Sequence, residues 1–505
     1  MKKIAKIGIA ISIAALLLFL SCLFGAKYQL TPESLHQSIT DKKHLEQIEP
    51  PIASMMNKEY ASVFSFVKDF HSIINHINEQ NRAQQKWDLV IYTDYTFIVT
   101  KNSNYGFVRD HNDLLLALLL LCVLAGALLF IIPKYAFCSK GIHNNYIFFN
   151  KLNAPGWIGI VLGFLLISFY ITLYFFPEYI TNWVILVDPL SHFTNGYGAS
   201  QWYLYGFLYT IAVVVMGIRM LLKYRGNLYQ QVRTISVMFF QTAFAFIIPE
   251  ILVALNKPWN DFKNIWPLDY TFFFDWRLNN FKSSGDIGWF MLFWGLALII
   301  IAVPVFTYFF GKRWYCSWVC GCGGLAETLG DPFRQLSDKS LRAWKIERVV
   351  VHSVLVFAVI MTAITIINYS SHYKLLGDET QAVHKWYGFL IGSIFSGVVG
   401  TGFYPLMGNR VWCRFGCPLA AYIGLVQRFK SRFRITTNGG QCISCGNCST
   451  YCEMGIDVRW YAQRGQNIVR SSCVGCGVCA AVCPRGVLRL ENADEKGRFE
   501  FHPIG

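Results

Sequence analysis

Along the chain, long unbroken apolar runs alternate with shorter polar stretches, and the runs exceed what a soluble core helix needs. Eight of them lie at about 6–25, 113–133, 156–176, 205–222, 234–255, 287–310, 349–368 and 387–407. Each is close to the roughly 20 apolar residues that cross a hydrocarbon core about 30 Å thick. They predict an α-helical multi-pass membrane protein with about eight transmembrane helices. Between the first two runs the pattern changes. SVFSFVKDFHSIINHINEQ, residues 62–80, has apolar positions at helical spacing, whereas WDLVIYTDYTFIVT, residues 87–100, reads as one or two strands. A small α+β domain is therefore expected outside the membrane, with a role in docking an external partner. His71 and His76, five apart, fit one helical face poorly and read as ordinary surface histidines.

Composition agrees with the pattern: 54% of the residues are hydrophobic and only 15% are charged. The formal net charge of +15 raises nucleic acid as a partner, but the basic residues are distributed as in a membrane protein. Lys2, Lys3 and Lys6 precede the first run, and Lys134, Lys140 and Lys151 lie between the second and third. Arg219, Lys223, Arg225 and Arg233 surround the gap between the fourth and fifth. Lys312, Arg313, Arg334, Lys339, Arg342, Lys345 and Arg348 fill the gap after the sixth, and Arg410, Arg414, Arg428, Lys430, Arg432 and Arg434 follow the eighth. By the positive-inside rule these loops are cytoplasmic, and an even number of crossings leaves both the N- and C-termini in the cytoplasm. The first run also resembles a signal peptide, but FLSC before Leu23 is a poor lipoprotein box, so an uncleaved anchor is preferred.

None of the 16 cysteines lies in the expected outer stretches 27–112, 177–204, 256–286 or 369–386, and thirteen occur at or after Cys316. Thiols gathered on the reducing side point to metal ligation and away from disulfides. Cys22, Cys122 and Cys138 stand alone and read as small buried hydrophobes. Near the C-terminus the spacing becomes specific. Cys442, Cys445, Cys448 and Cys452 repeat as Cys473, Cys476, Cys479 and Cys483, each set spaced x2, x2, x3, with Pro484 after the last. Three thiolates at i, i+3 and i+6 wrap one corner of a cubane, and the fourth ligand comes from the other run. The expected ligands are Cys442, Cys445, Cys448 and Cys483 for one [4Fe–4S] cluster, and Cys473, Cys476, Cys479 and Cys452 for the second. Gly446, Gly475 and Gly477 lie between ligands, where a Cβ would hinder tight folding. Paired C-x2-C motifs also bind zinc, but two tandem copies of this four-cysteine spacing favour iron and sulfide. The tail resembles a bacterial two-cluster ferredoxin over about residues 438–490.

A second repeat lies upstream. Gly311-Lys-Arg-Trp-Tyr-Cys316-Ser-Trp-Val-Cys320 aligns with Gly408-Asn-Arg-Val-Trp-Cys413-Arg-Phe-Gly-Cys417. Both follow apolar runs, and if each helix continued, its two cysteines would share a face. Cys316, Cys320, Cys413 and Cys417 are expected to ligate a third metal centre at the membrane edge. Unliganded structural thiols and redox-active or metal-trafficking thiols are the alternatives. Gly388, Gly392, Ser396 and Gly400 form a small-residue stripe that would admit another helix backbone.

Cysteine pairs at helix ends followed by a two-cluster ferredoxin tail resemble the NosR/NapH group of membrane polyferredoxins, over about residues 287–490. The resemblance implies a bacterial inner (cytoplasmic) membrane location and electron passage between the quinone pool or another donor and periplasmic respiratory reductases. Membership of the NosR branch would associate the chain with nitrous oxide reductase. That branch has an outer flavin domain. Here Gly198-Ala199-Ser200 echoes the attachment triplet without the surrounding domain, so no FMN motif is identified. The group's usual Cys-Pro is present at Cys417-Pro418 but is replaced by Cys320-Gly321-Cys322 at the first repeat, which makes Cys322 a candidate substitute ligand.

The expected organisation is an N-terminal anchor or signal at 1–26, an extracytoplasmic small α+β domain at 27–112 and a transmembrane bundle at 113–310. A cytoplasmic cysteine-containing loop follows at 311–348, transmembrane helices at 349–407, and a membrane-edge CxxxCP segment at 408–437. The cytoplasmic two-cluster ferredoxin domain at 438–490 and a tail at 491–505 complete it. Glu250 and His352 are the intramembrane ionisable groups that could handle a quinol proton, or they lie at interfaces. No Cys-x-x-Cys-His, P-loop or Rossmann glycine set is present. The leading reading is a membrane-bound iron–sulfur electron-transfer component with a donor and a reductase as partner proteins, quinone a possible ligand and no stand-alone catalytic group. The alternative is an accessory or regulatory protein for metalloenzyme maturation or redox sensing.

Overall fold

The computed structural model describes residues 2–137, 156–373, 377, 379–438 and 440–492. Cys138, Lys140, Lys151 and the tail from 493 lie outside the described residues. The chain divides into two units, residues 1–137 with 171–208, and residues 138–170 with 209–505.

Seven helices among the described residues are long and apolar enough to cross a membrane: Lys3–Phe24, Asn112–Tyr135, Trp157–Phe175, Gln201–Lys223, Leu228–Ala254, Asp286–Phe310 and Leu341–Ser370. The eighth expected segment is built differently. A polar helix, Glu379–Tyr387, runs into a π-helical stretch, Gly388–Val399, and the chain turns at Gly400–Phe403 before the short helix Tyr404–Met407. Two glycines and Pro405 end the run that the hydropathy pattern extends to 407.

In the first unit, the helices Lys2–Ser21 and Asn112–Tyr135 pack together through glycine. A Cβ on Gly8 would lie 2.7 Å from the carbonyl oxygen of Gly126, and one on Gly126 would lie 3.0 Å from that of Gly8. Only glycine permits this approach. The Trp183 indole stacks on Phe19 and donates to its carbonyl at 2.7 Å. Beyond the first helix, Lys27–Gln29 forms the central strand of a three-stranded antiparallel sheet, flanked by Glu59–Tyr60 and Asn104–Tyr105. The helix Val63–Ala83 is capped by Ser62 and turns Phe66, Val67, Phe70 and Ile77 into the core. The strands expected at 87–100 are absent. Residues 87–89 form a 3-10 turn, and Thr96–Asn102 is a helix started by the Asp94 side chain, which accepts from the Thr96 backbone N–H at 2.9 Å. Packing of its buried face, Thr96, Val99 and Thr100, on the helices Pro32–Ser38 and Val63–Ala83 overrides the β-branched composition there. His71 meets the Thr96 hydroxyl at 2.9 Å and His76 meets Gln80 at 2.9 Å.

In the second unit, the segment expected as an outer loop at 256–286 folds back among the helices. Ile265 belongs to the same buried cluster as Cys316, Cys320, Cys413 and Cys417. The Trp266 indole donates to the Thr362 hydroxyl at 3.0 Å, and the Trp294 indole donates to the Phe262 carbonyl at 2.8 Å. The small-residue stripe receives this segment in place of a helix backbone, since Cβ atoms on Gly388 and Gly392 would lie 3.2 and 2.9 Å from the Tyr270 hydroxyl. Phe262, Ile265, Trp266, Leu268 and Phe272 supply apolar surface that can be buried only in this way.

Replacing Gly8 with leucine is expected to force the two helices apart, with a stability loss of about 1–3 kcal/mol. It should be read as a lower midpoint of thermal unfolding in detergent, and an unchanged midpoint would contradict the close crossing.

Candidate metal centres

The ferredoxin region is tied together by an antiparallel pair, Phe433–Thr437 with Leu488–Asn492, in which Ile435 faces Leu490. Its two cysteine runs share one backbone design. Ser444 and Gly475 occupy the left-handed region at φ 58° and 62°, and Gly446 and Gly477 do so at 79° and 75°. Each of the second pair opens a one-turn helix, Asn447–Thr450 or Val478–Ala481, that carries the third cysteine inward. This turns three thiols toward one point in each run.

Two cavities result. One is lined by Cys442, Cys445, Cys448 and Cys483 with Ile443 and Pro484. The other is lined by Cys452, Cys473, Cys476 and Cys479 with Met454 and Ile456. The fourth thiol in each comes from the opposite run. The donor set suits iron and sulfide: four soft thiols facing an apolar space, with backbone N–H groups also available, since Ile456 donates to the Cys452 sulfur at 3.3 Å. Burial pushes Cys448 and Cys473 each up to about 11, so these thiols keep their protons until a metal ion displaces them.

The upstream repeat is also structural. Gly311 and Gly408 have φ of 67° and 92°, and one turn later come the short helices Arg313–Cys316 and Trp412–Gly416. Neither helix continues through its second cysteine. The backbone N–H of Cys320 donates to the Tyr315 carbonyl at 2.8 Å, and that of Cys417 to the Trp412 carbonyl at 2.9 Å. Both cysteines are extended, at ψ 128° and 111°, and each caps a new helix, Gly321–Thr328 or Pro418–Lys430. The four thiols are therefore brought together by two breaks and not by one continuous helical face. All four are buried in one cluster. The Ala420 N–H donates to the Cys417 sulfur at 3.4 Å, as a helix N-terminus favours for an anionic ligand. Burial pushes Cys316 up to about 12. Cys322 donates to Cys320 and pulls that thiol below its usual range. Cys322 packs against the buried cluster that holds the set, and all fifteen described cysteines are free of disulfides.

Several basic residues that the charge pattern assigns to loop surfaces are buried in ion pairs. Asp331 accepts from Arg219 at 2.9 Å, Lys223 at 2.8 Å and Arg334 at 3.3 Å. Glu327 accepts from Arg334 at 2.7 Å and Arg410 at 2.8 Å and is ion-paired with Arg233 at 2.7 Å. Glu453 is ion-paired with Arg334 at 2.9 Å and Arg410 at 3.0 Å. Arg414 pairs with Glu347 at 3.0 Å. Burial alone would raise Glu327, but the three guanidinium groups hold it well below the carboxylate range. Glu327, Glu453 and Cys476 bring one donor atom each within 4.8 Å of one another. The arginines already occupy these carboxylates, so the grouping does not suit an added cation. The sequence offered one signal for this network, the acidic residues beside the cysteine motifs, which composition alone does not separate from surface charge.

The remaining candidates have local roles. His352 lies on a half-buried face with Nδ1 at 2.6 Å from the Arg348 carbonyl one turn back, and Glu250 is half-buried. Cys22 is buried and Cys122 half-buried. Ala199 and Ser200 serve the backbone: Ala199 N–H donates to Asp188 at 2.7 Å, and Ser200 accepts from Tyr203 N–H at 3.2 Å.

Comparison with known proteins agrees with the thiol geometry. A 4Fe-4S binding domain family matches residues 292–340 and 387–436, and a 4Fe-4S dicluster domain family matches residues 441–488. The chain is 27% identical over 193 residues to the Escherichia coli protein named "Putative electron transport protein YccM", covering 36% of this chain and 52% of that one. It is 26% identical over 156 residues to the methylamine utilization ferredoxin-type protein MauN of Methylobacillus flagellatus, covering 30% and 52%. The aligned part spans about half the length of each of these relatives. No solved structure matches. The chain carries 4Fe–4S ferredoxin domains together with apolar helices of membrane-spanning length, the make-up of a membrane polyferredoxin.

Proposed function

We propose that the chain is a membrane-bound electron-transfer protein of the NosR/NapH type, passing electrons between a cytoplasmic or quinone donor and a respiratory reductase system. In this reading it lies in a bacterial inner membrane with both termini in the cytoplasm. Bound [4Fe–4S] clusters supply one-electron redox chemistry. Cys442, Cys445, Cys448 and Cys483 hold one, Cys473, Cys476, Cys479 and Cys452 a second, and Cys316, Cys320, Cys413 and Cys417 a third.

The observation that carries this reading is the direct contact between the second and third thiol sets. Ser317, between Cys316 and Cys320, donates to the carbonyl of Val474, between Cys473 and Cys476, at 2.8 Å. Gln427, on the helix that Cys417 caps, donates to the Cys473 carbonyl at 2.9 Å. Ligand loops in direct contact suit electron passage from the ferredoxin domain to the helix ends. The one-turn helices that carry Cys448 and Cys479 pack against each other, so the three sets form a series. The third centre is favoured by four buried thiols in one cluster and by the 4Fe-4S binding match, which spans both short repeats. The electron transport role in the name of YccM and the ferredoxin type of MauN agree with the same reading.

Protein purified without oxygen is expected to contain about twelve iron atoms, four per cubane. The double change Cys316→Ser and Cys413→Ser should lower the content to about eight, and a value that stays at about twelve would exclude these residues as ligands. The loop glycines are expected to differ in sensitivity. A Cβ on Gly446 meets nothing within 4 Å, so Gly446→Ala should cost only the left-handed backbone strain, about 1–2 kcal/mol. A Cβ on Gly475 would lie 2.6 Å from the Arg313 side chain and 3.0 Å from Phe433. Gly475→Ala should therefore lose more thermal stability and more iron, and equal losses would contradict the packing described.

A further inference from the structure

Arg334 and Arg410 are both fully buried, and each donates to a cysteine of a different thiol set. Arg334 Nη1 lies 3.9 Å from the Cys476 sulfur, and Arg410 Nη1 lies 3.7 Å from the Cys413 sulfur. The same two guanidinium groups grip one pair of carboxylates. Arg334 reaches Glu327 at 2.7 Å and Glu453 at 2.9 Å, and Arg410 reaches them at 2.8 and 3.0 Å. The path Cys476, Arg334, Glu327 and Glu453, Arg410, Cys413 is thus continuous in hydrogen bonds and ion pairs. With Arg219, Lys223, Arg233 and Asp331 included, five cationic side chains face three carboxylates, an excess of two positive charges when all are ionised.

We infer that Arg334 and Arg410, joined through Glu327 and Glu453, form a charged bridge that raises the reduction potentials of the two thiol-held centres it touches and makes each respond to the same carboxylates. The inference rests on the reading of the thiol sets as cluster sites. A cubane held by four thiolates is an anion and becomes more negative on reduction, so a cationic N–H donor to a ligand sulfur stabilises the reduced state more than the oxidised one. In a buried site this effect is screened little. The carboxylates oppose it, and they act on both centres because both arginines share them. Arg334 and Arg410 are positioning residues here, acting on the centres through their ligands.

The test is an anaerobic redox titration followed by electron paramagnetic resonance, with iron content measured on the same samples. Arg410→Gln should lower the potential of the centre at Cys316, Cys320, Cys413 and Cys417. Arg334→Gln should lower that of the centre at Cys473, Cys476, Cys479 and Cys452. Glu327→Gln, which keeps the side-chain shape and removes one negative charge, should move both centres to higher potential, on the order of tenfold in the reduced-to-oxidised ratio at fixed potential. Structural damage does not produce opposite signs, and if an arginine variant fails to fold, the Glu327→Gln result decides. Full iron content with neither potential moved in Glu327→Gln overturns the bridge. An iron content of about eight in the unmodified protein is a different failure: it removes the third centre from the functional reading, while the Arg334 and Glu327 variants still test the bridge at the second.

Discussion

The second unit depends on the burial of ionised side chains where its helices meet the ferredoxin domain. Taking Arg334, Arg410, Glu327, Asp331 and Glu453 out of water carries a desolvation cost of several kcal/mol per ion, which only close and multiple pairing offsets. Each carboxylate meets at least two cations, and each of these two arginines meets at least two carboxylates. Losing Asp331 would leave Lys223 and Arg219 without that carboxylate, and losing any member strips a buried partner of part of its compensation, so the network tolerates little displacement. Its members come from two apolar helices, the segment after the first short cysteine repeat, the second repeat itself and the first ferredoxin run. Pairing them fixes those segments against one another, and the thiols move with them.

On that frame the two short repeats perform the same local task. Each begins with a left-handed glycine, makes about one turn and breaks with an extended cysteine that caps the next helix. The break lets the first and second thiols of a repeat converge, and the fresh helix start directs N–H groups toward the second sulfur. The ferredoxin runs reach a similar result with left-handed residues between ligands. In both cases the backbone supplies the curvature that turns the thiols toward one another.

Much of this was legible in the sequence because it rests on spacing. The cysteine intervals, the alignment of Gly311 to Cys320 with Gly408 to Cys417, and the glycines between ligands all encode local geometry. Where the sequence misled, the cause was tertiary. Thr96–Asn102 is a helix despite its β-branched residues because it buries Thr96, Val99 and Thr100 against Pro32–Ser38 and Val63–Ala83. The segment around Ile265 and Tyr270 reads as a loop between two apolar runs, yet its aromatic residues are buried against the stripe at Gly388 and Gly392. Arg219, Lys223, Arg334 and Arg410 count as free basic residues in a charge tally, and only the fold brings Asp331, Glu327 and Glu453 to them from distant positions.

The central claim is that four buried thiols at the helix ends hold an iron–sulfur centre in contact with the ferredoxin domain. A cryo-electron microscopy map of protein purified without oxygen tests it most directly. The account predicts cubane density bounded by Cys316, Cys320, Cys413 and Cys417, beside a second cubane at Cys473 and Cys476, with Arg410 reaching Cys413 between them. Bare thiols, or disulfides among these four residues, in a map where both ferredoxin cubanes are present would contradict it.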